Sequence, residues 1–155
     1  MQKLGVQTIY ASPVFESVSG SVHGYDVLDP HKINPEIGTK EQLKNISKQL
    51  KEKGIGWLQD VVPNHMAFHP NNKWLMDVLE KGRHSQYAPF FDIIWNSPVY
   101  DGRLMVPFLG NSLEEVVDKD ELKLVLNEKG ISLAYYDSNY PVHPNSYTTI
   151  LQQKK

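Results

Sequence analysis

The sequence contains no cysteine. That excludes a disulfide framework, a thiolate nucleophile and a thiolate metal site. It has no apolar run near the roughly 20 residues needed to cross a bilayer, so no membrane association is expected. No basic start followed by an apolar run marks a secretory leader, and with no cysteine a cytoplasmic setting is expected. Excess charge of one sign is also missing: 16 Lys and Arg stand against 18 Asp and Glu, giving −2 over 155 residues. Without a basic field, nucleic acid is not expected as a partner. There is no internal repeat and no low-complexity segment. What the chain does hold is eight Tyr, three Trp and six His among many Asn and Gln. Such a mixture suits stacking on sugar rings and hydrogen bonding to their hydroxyls, although Tyr and Trp also serve as ordinary amphipathic core residues.

The pattern along the chain is α/β. Gly5 to Tyr10 is β-prone and stops before Pro13, so a short buried strand is expected there. Ser12 to Gly38 is rich in Gly, Ser, Pro, His and Asp, too long for a routine connection and therefore a candidate functional loop. Thr39 with Gln42 forms a capping-box signature, Leu43, Ile46 and Leu50 fall at helical spacing, and Gly54 supplies a stop. These signals predict a helix from Thr39 to Lys53. Gly56 to Val62 reads as a second buried strand with Asp60 near its C-terminal end. Strand, loop, helix and strand make a βαβ unit with parallel strands and a right-handed crossover. Beyond residue 65 the alternation lapses into an irregular α+β subdomain. A helix is expected over 72–81, a short strand over 103–108, a helical turn over 113–119 and a hairpin built from Leu122, Leu124, Leu126 and Ile131, Leu133, Tyr135 with one buried face. Ile150-Leu151 and the residues after them read as the start of a helix.

Functional groups of parallel sheets gather at the C-terminal ends of the strands. Two clusters fall there: His23-Gly24-Tyr25-Asp26, followed by Asp29-Pro30, and Asp60-Val61-Val62-Pro63-Asn64-His65. They supply an aromatic face for a pyranose ring, imidazole and amide donors for hydroxyls, and carboxylate acceptors. Each group alone has a structural reading as well, Asp60 as the partner of a buried arginine and Tyr25 as a packing residue. His65 and His69 have i, i+4 spacing, but prolines bracket them and no HExxH glutamate is present, so no metal and no other cofactor is expected.

The string DVVPNH at Asp60 to His65 resembles the first conserved region of the α-amylase superfamily, on its third barrel strand. HGYD at His23 to Asp26 resembles the loop after that superfamily's second strand. Within the superfamily, YASPVF, GSVHGYDVLDP, NPEIG, DVVPNHM, GRHSQYAPFFDIIW, VPFLG and YYDSNYPVHP are similar to the maltooligosyltrehalose synthase family, and the segments after residue 66 do not resemble ordinary amylases. The resemblance implies a partial (β/α)8 TIM barrel, strands 2 and 3 with the intervening helix over residues 1–65. It implies an insertion over 66–155 that forms a wall of the substrate cleft. Tyr25 would stack against the sugar beside the scissile bond, with His65 bonding hydroxyls of the same sugar. Asp60 would pair with an arginine of a later strand and Asn64 would fix its loop, while His23 and Asp26 match the motif with less defined substrate-binding roles. Ile94 departs from the family, which usually has Asp at that position of FDIIW.

No segment of the sequence matches the superfamily's Asp nucleophile on the fourth strand, its Glu acid/base on the fifth or its stabilising Asp after the seventh. The resemblance thus implies that this chain is about a quarter of the enzyme, is inactive alone, and needs the remainder of the catalytic barrel as its partner. The implied reaction moves the reducing-end glucose of a maltooligosaccharide from an α-1,4 to an α,α-1,1 linkage. An α-glucan hydrolase sharing both motifs, and a non-catalytic glucan-binding module, are the alternatives.

Overall fold

A computed structural model describes residues 2–152, a mixed α/β chain that divides into two units, Met1–Ala67 and Phe68–Lys155.

In the first unit, β1 (Thr8–Ala11) pairs in parallel with β4 (Gly56–Gln59) through Thr8↔Gly56 to Ala11↔Gln59. The expected parallel pair is therefore present, with β1 displaced toward the C-terminus. Gln2–Leu4 forms a 3-10 turn and Gly5 adopts φ 72°, so the chain becomes extended only at Thr8. Both strands are less buried than expected. Tyr10, Trp57 and Leu58 are exposed, because a two-stranded ribbon has two faces and little in this unit to lay over them. The long loop is also more ordered than its composition suggested: β2 (Phe15–Ser17) and β3 (Val27–Ile33) pair antiparallel within it. Val27 and Leu28 supply their buried side chains.

Between the ribbons, α1 (Lys40–Glu52) starts as the sequence predicts. Thr39 Oγ1 accepts from Gln42 N–H at 3.2 Å and Gln42 Oε1 accepts from Thr39 N–H at 2.8 Å, so two otherwise orphaned donors are satisfied reciprocally. Its apolar stripe is only half covered, since two strands give the helix a narrow floor, and Ile55, just past its end, is the well-buried residue.

The second unit begins its regular structure with α2 (Lys73–Lys81), capped by the fully buried Asn72, whose side chain accepts from Leu75 N–H at 3.1 Å. Val78 is its buried face. A three-stranded antiparallel sheet follows the short helix α3 (Leu113–Asp118), in the order β5 (Leu122–Asn127), β6 (Gly130–Tyr135), β7 (Ser138–Pro141). The predicted hairpin is β5–β6, but its shared buried face is not realised: Ile131 and Tyr135 are buried while Leu124 and Leu126 on the edge strand are exposed. β7 is a strand the sequence did not announce. Its turn is Tyr136-Asp137, with Tyr136 at φ 49°, and no Asn-Gly or Asp-Gly signal marks it.

The strand expected over 103–108 is absent. Phe108 N–H bonds locally to Val106 O, and Gly110 N–H goes to the Tyr135 hydroxyl at 3.0 Å instead of to a ladder. The Phe108 ring lies 4.4 Å from the Tyr140 centroid and 5.8 Å from that of Tyr135, with Phe68 on the same cluster. The chain trades pairing for an aromatic anchor there. Residues 147–152 form α4 (Tyr147–Gln152), and the final Gln-Lys-Lys lies outside the described residues. Among the described residues no helix is long and apolar enough to cross a membrane.

Two substitutions probe these elements. Thr39→Ala is expected to lower stability by about 1 kcal/mol through loss of the cap. Gly130→Ala is expected to lower it by roughly 2–3 kcal/mol, because Gly130 sits at φ 119° and an added Cβ would overlap the Tyr147 hydroxyl that accepts from Ile131 N–H. Urea unfolding of the chain checks the ranking, and equal effects would contradict it.

Candidate functional site at the strand ends

β1 and β4 finish in register at Ala11 and Gln59, and Asp60 N–H continues the ladder to Ala11 O at 2.9 Å. Gln59 locks this end: its Nε2 donates to Ser12 O at 2.9 Å and Asp60 O at 2.8 Å, while its Oε1 accepts from Trp57 Nε1 at 3.1 Å. Asp60 therefore leaves the ribbon in a fixed direction.

Its carboxylate is held by two phenols. Tyr25 donates to Asp60 Oδ2 at 2.8 Å, and the Tyr10 hydroxyl, one residue before the end of β1, faces the same carboxylate. These hydroxyls, first Tyr10 and then Tyr25, hold the Asp60 carboxyl below its ordinary value. Conversely, Asp60 pushes the Tyr10 phenol up to about 12 and raises Tyr25. The anion is the form both donors favour. The sign follows: the tie is intact at neutral pH, is lost as pH falls through the depressed carboxyl value, and is lost on the alkaline side as the two phenols, both raised, ionise. Asp60 is thus an ionised acceptor at neutral pH and is unsuited to donate a proton. The arginine expected to pair with Asp60 belongs to a later strand; among the described residues the carboxylate meets the two tyrosines.

Tyr25 is further oriented by its own loop. The His23 ring stacks on it at 5.4 Å with 20° between planes, covering one face. Tyr25 N–H donates to His23 Nδ1 at 3.0 Å, so that nitrogen carries no proton and Nε2 is the N–H donor of a neutral imidazole. Although Asp26 Oδ1 lies 3.8 Å from the same Nδ1, the two are both acceptors in this arrangement and form no ion pair. Asp26 works on the loop: it accepts from the Ser21 hydroxyl, which in turn accepts from Gly24 N–H at 3.1 Å. Gly24 is required here. It has φ 73°, and a Cβ would stand 2.8 Å from Pro13 O.

His23, Tyr25, Asp26 and Asp60 are thus joined through bonds and stacking. Asn64 and His65 are exposed in irregular chain after β4 and make no side-chain hydrogen bond among the described residues. The irregular path over 61–69 also denies His65 and His69 the helical register a shared metal would need, and no group of three His, Asp or Glu able to hold a metal is found among the described residues. Tyr10 and Gln59 were not singled out from the sequence. The available signal was parallel register: a strand ending at Ala11 places the residue before it level with the end of its partner. Ile94 is exposed in irregular chain of the second unit.

A spectroscopic titration isolates the central tie. Tyrosinate absorbance should show one phenol ionising at about 12, and Asp60→Asn should return it toward 10.0. An unchanged alkaline limb in the variant would contradict the pairing.

Residues 1–120 match the family described as "Alpha amylase, catalytic domain". A protein of Mycobacterium tuberculosis assigned as a maltooligosyl trehalose synthase is 41% identical over 129 residues, 80% of this chain and 17% of its own. The crystal structure of a maltooligosyl trehalose synthase superposes with a TM-score of 0.81 at 36% identity over 97% of this chain and 21% of that one. Alpha-amylase 2 of Dictyoglomus thermophilum is 44% identical, but over 68 residues, 44% of this chain and 12% of its own. The chain spans about a fifth of the synthase structure it matches, and the family match over residues 1–120 shows that it belongs to the α-amylase family.

Proposed function

We propose that this chain is the part of a maltooligosyltrehalose synthase that runs from the second to the third strand of a (β/α)8 barrel, with residues 66–155 as an insertion walling the substrate cleft. The observation that carries the proposal is the extent of the likeness to the synthases. It runs through 97% of the chain, second unit included, at a TM-score of 0.81, and the sequence is 41% identical over 129 residues to a synthase against 32% over 133 residues to a cyclomaltodextrinase of Bacillus.

In this reading the reducing-end glucose of a maltooligosaccharide moves from an α-1,4 to an α,α-1,1 linkage within one molecule. Retention requires two carboxyl groups roughly 5 Å apart, and these come from the remainder of the barrel. The present residues position sugar. The Tyr25 face not covered by His23 receives the C–H face of the ring beside the scissile bond, and its tilt is set by the bond to Asp60. His23 Nε2–H donates to a sugar hydroxyl, and His65, exposed with both nitrogens unengaged among the described residues, does the same from the other loop. Asn64, whose side chain makes no hydrogen bond among the described residues, would fix that loop against the remainder of the barrel, and an arginine from a later strand takes a remaining lone pair of Asp60. The glycosyl intermediate must then be captured by the released glucose rather than by water, so exclusion of water by the cleft wall is the specificity problem. A cytoplasmic enzyme of trehalose formation accords with the absence of cysteine.

The test uses the complete enzyme that carries this chain with maltopentaose as substrate. Reducing ends should disappear while the oligosaccharide keeps its length and no free sugar accumulates. Rising reducing ends would establish the α-glucan hydrolase instead. The 155-residue chain by itself is expected to leave the substrate unchanged, and turnover by it would overturn the assignment.

A further inference from the structure

The loop that carries His23 and Tyr25 is tied down by a residue outside both sequence clusters. Glu36, exposed and beyond β3, takes the tip of the β2–β3 connection in its carboxylate: Oε1 accepts from the Ser19 hydroxyl at 2.7 Å and from Gly20 N–H at 3.2 Å, and Oε2 from the same N–H at 3.1 Å. Gly20 is the left-handed residue of a tight turn, φ 78°, closed by Ser21 N–H on Val18 O at 3.0 Å. The donors hold the Glu36 carboxyl below its ordinary value, so it is ionised where the enzyme works.

Exposed polar pairs are often weak because both partners are mobile. Glu36 is not placed that way. Its N–H bonds to the Asn34 side chain at 2.9 Å, and Asn34 is buried. Asn34 Nδ2 donates to Ser17 Oγ at 2.9 Å, its N–H to Val14 O at 2.9 Å, and its carbonyl accepts from Ile37 and Gly38 N–H. The anchor is therefore rigid, and the bonds on the far side run without a gap. From Ser21 they pass to Asp26 and Gly24, and from Gly24 the chain enters Tyr25, whose N–H fixes His23.

From this we infer that Glu36 is a positioning residue: by clamping Ser19 and Gly20 onto the Asn34 turn, it sets the height and tilt at which His23 and Tyr25 meet the sugar. The inference rests on the sugar-contact reading of those two residues. Glu36 touches no substrate, and it acts through the loop.

The complete enzyme is compared with Glu36→Ala and Glu36→Gln in two measurements: amide exchange by mass spectrometry, and kcat and KM for maltopentaose. In Glu36→Ala, exchange over residues 17–26 should quicken about tenfold while α1 is unaltered, the scale expected for loss of a local charge-assisted tie. kcat should fall about tenfold with KM little changed, since a displaced ring spoils geometry more than affinity for a long chain. Glu36→Gln, which keeps an acceptor on the same stem, should stay within about threefold of the parent. Unchanged exchange in Glu36→Ala would refute the clamp. Faster exchange with unaltered kcat and KM would refute its positioning role, and quickened exchange throughout the first unit would mark a structural residue only. If the parent enzyme does not isomerise maltopentaose, the proposed function fails, while the exchange result still decides whether Glu36 holds the loop.

Discussion

An ionised carboxylate shared by two phenols is the interaction on which the site depends. Asp60 leaves a parallel ribbon in a direction fixed by the ladder bond to Ala11 and by the Gln59 side chain, and Tyr10 and Tyr25 reach it from the adjacent strand and from the long loop. Three segments far apart in sequence are brought to one oxygen pair. Because both partners donate and Asp60 only accepts, charge on Asp60 tightens the assembly and protonation would loosen it. An anionic hub of this kind orients aromatic rings without itself reacting, which suits a residue that supports a sugar platform.

The platform illustrates how a loop can be ordered without burying much apolar surface. Between Ser17 and Asp26 nearly every turn is fixed by a hydroxyl, a carboxylate or a glycine in a left-handed conformation, and the buried residues in and around it are few: Pro13, Ser17, Gly24, Val27, Leu28 and Asn34. Hydrogen bonds supply what packing does not. The second unit is built on the opposite principle, with Phe68, Phe108, Tyr135 and Tyr140 packed ring on ring and the Tyr135 hydroxyl reaching out to Gly110. One unit is held by donors and acceptors, the other by apolar bulk.

Local signals made α1 legible to the residue, because a capping box and a periodic stripe act within a few positions. The β1–β4 pair was legible in type but not in burial, since what covers a strand is decided by elements far along the chain. β7 was hidden because Tyr136 occupies a positive-φ position normally marked by Gly or Asn. The strand expected over 103–108 did not form, because Phe108 found rings instead of a neighbouring strand. At the site, His23, Tyr25, Asp26 and Asp60 could be picked out from residue type and strand-end position. Tyr10, Gln59 and Glu36 could not, because their roles arise from register and from a loop that folds back over 16 residues.

The role proposed for the Tyr25 ring is that of an oriented platform for the sugar beside the bond that is cut. Its most direct test is kcat/KM for maltopentaose in the complete enzyme with Tyr25→Phe and Tyr25→Ala. Phe keeps the ring and loses only the tie to Asp60, so an intermediate loss is expected, whereas Ala should lose about a hundredfold through the missing stacked face and misplaced substrate. A Tyr25→Ala enzyme with the parent's kcat/KM would contradict the account.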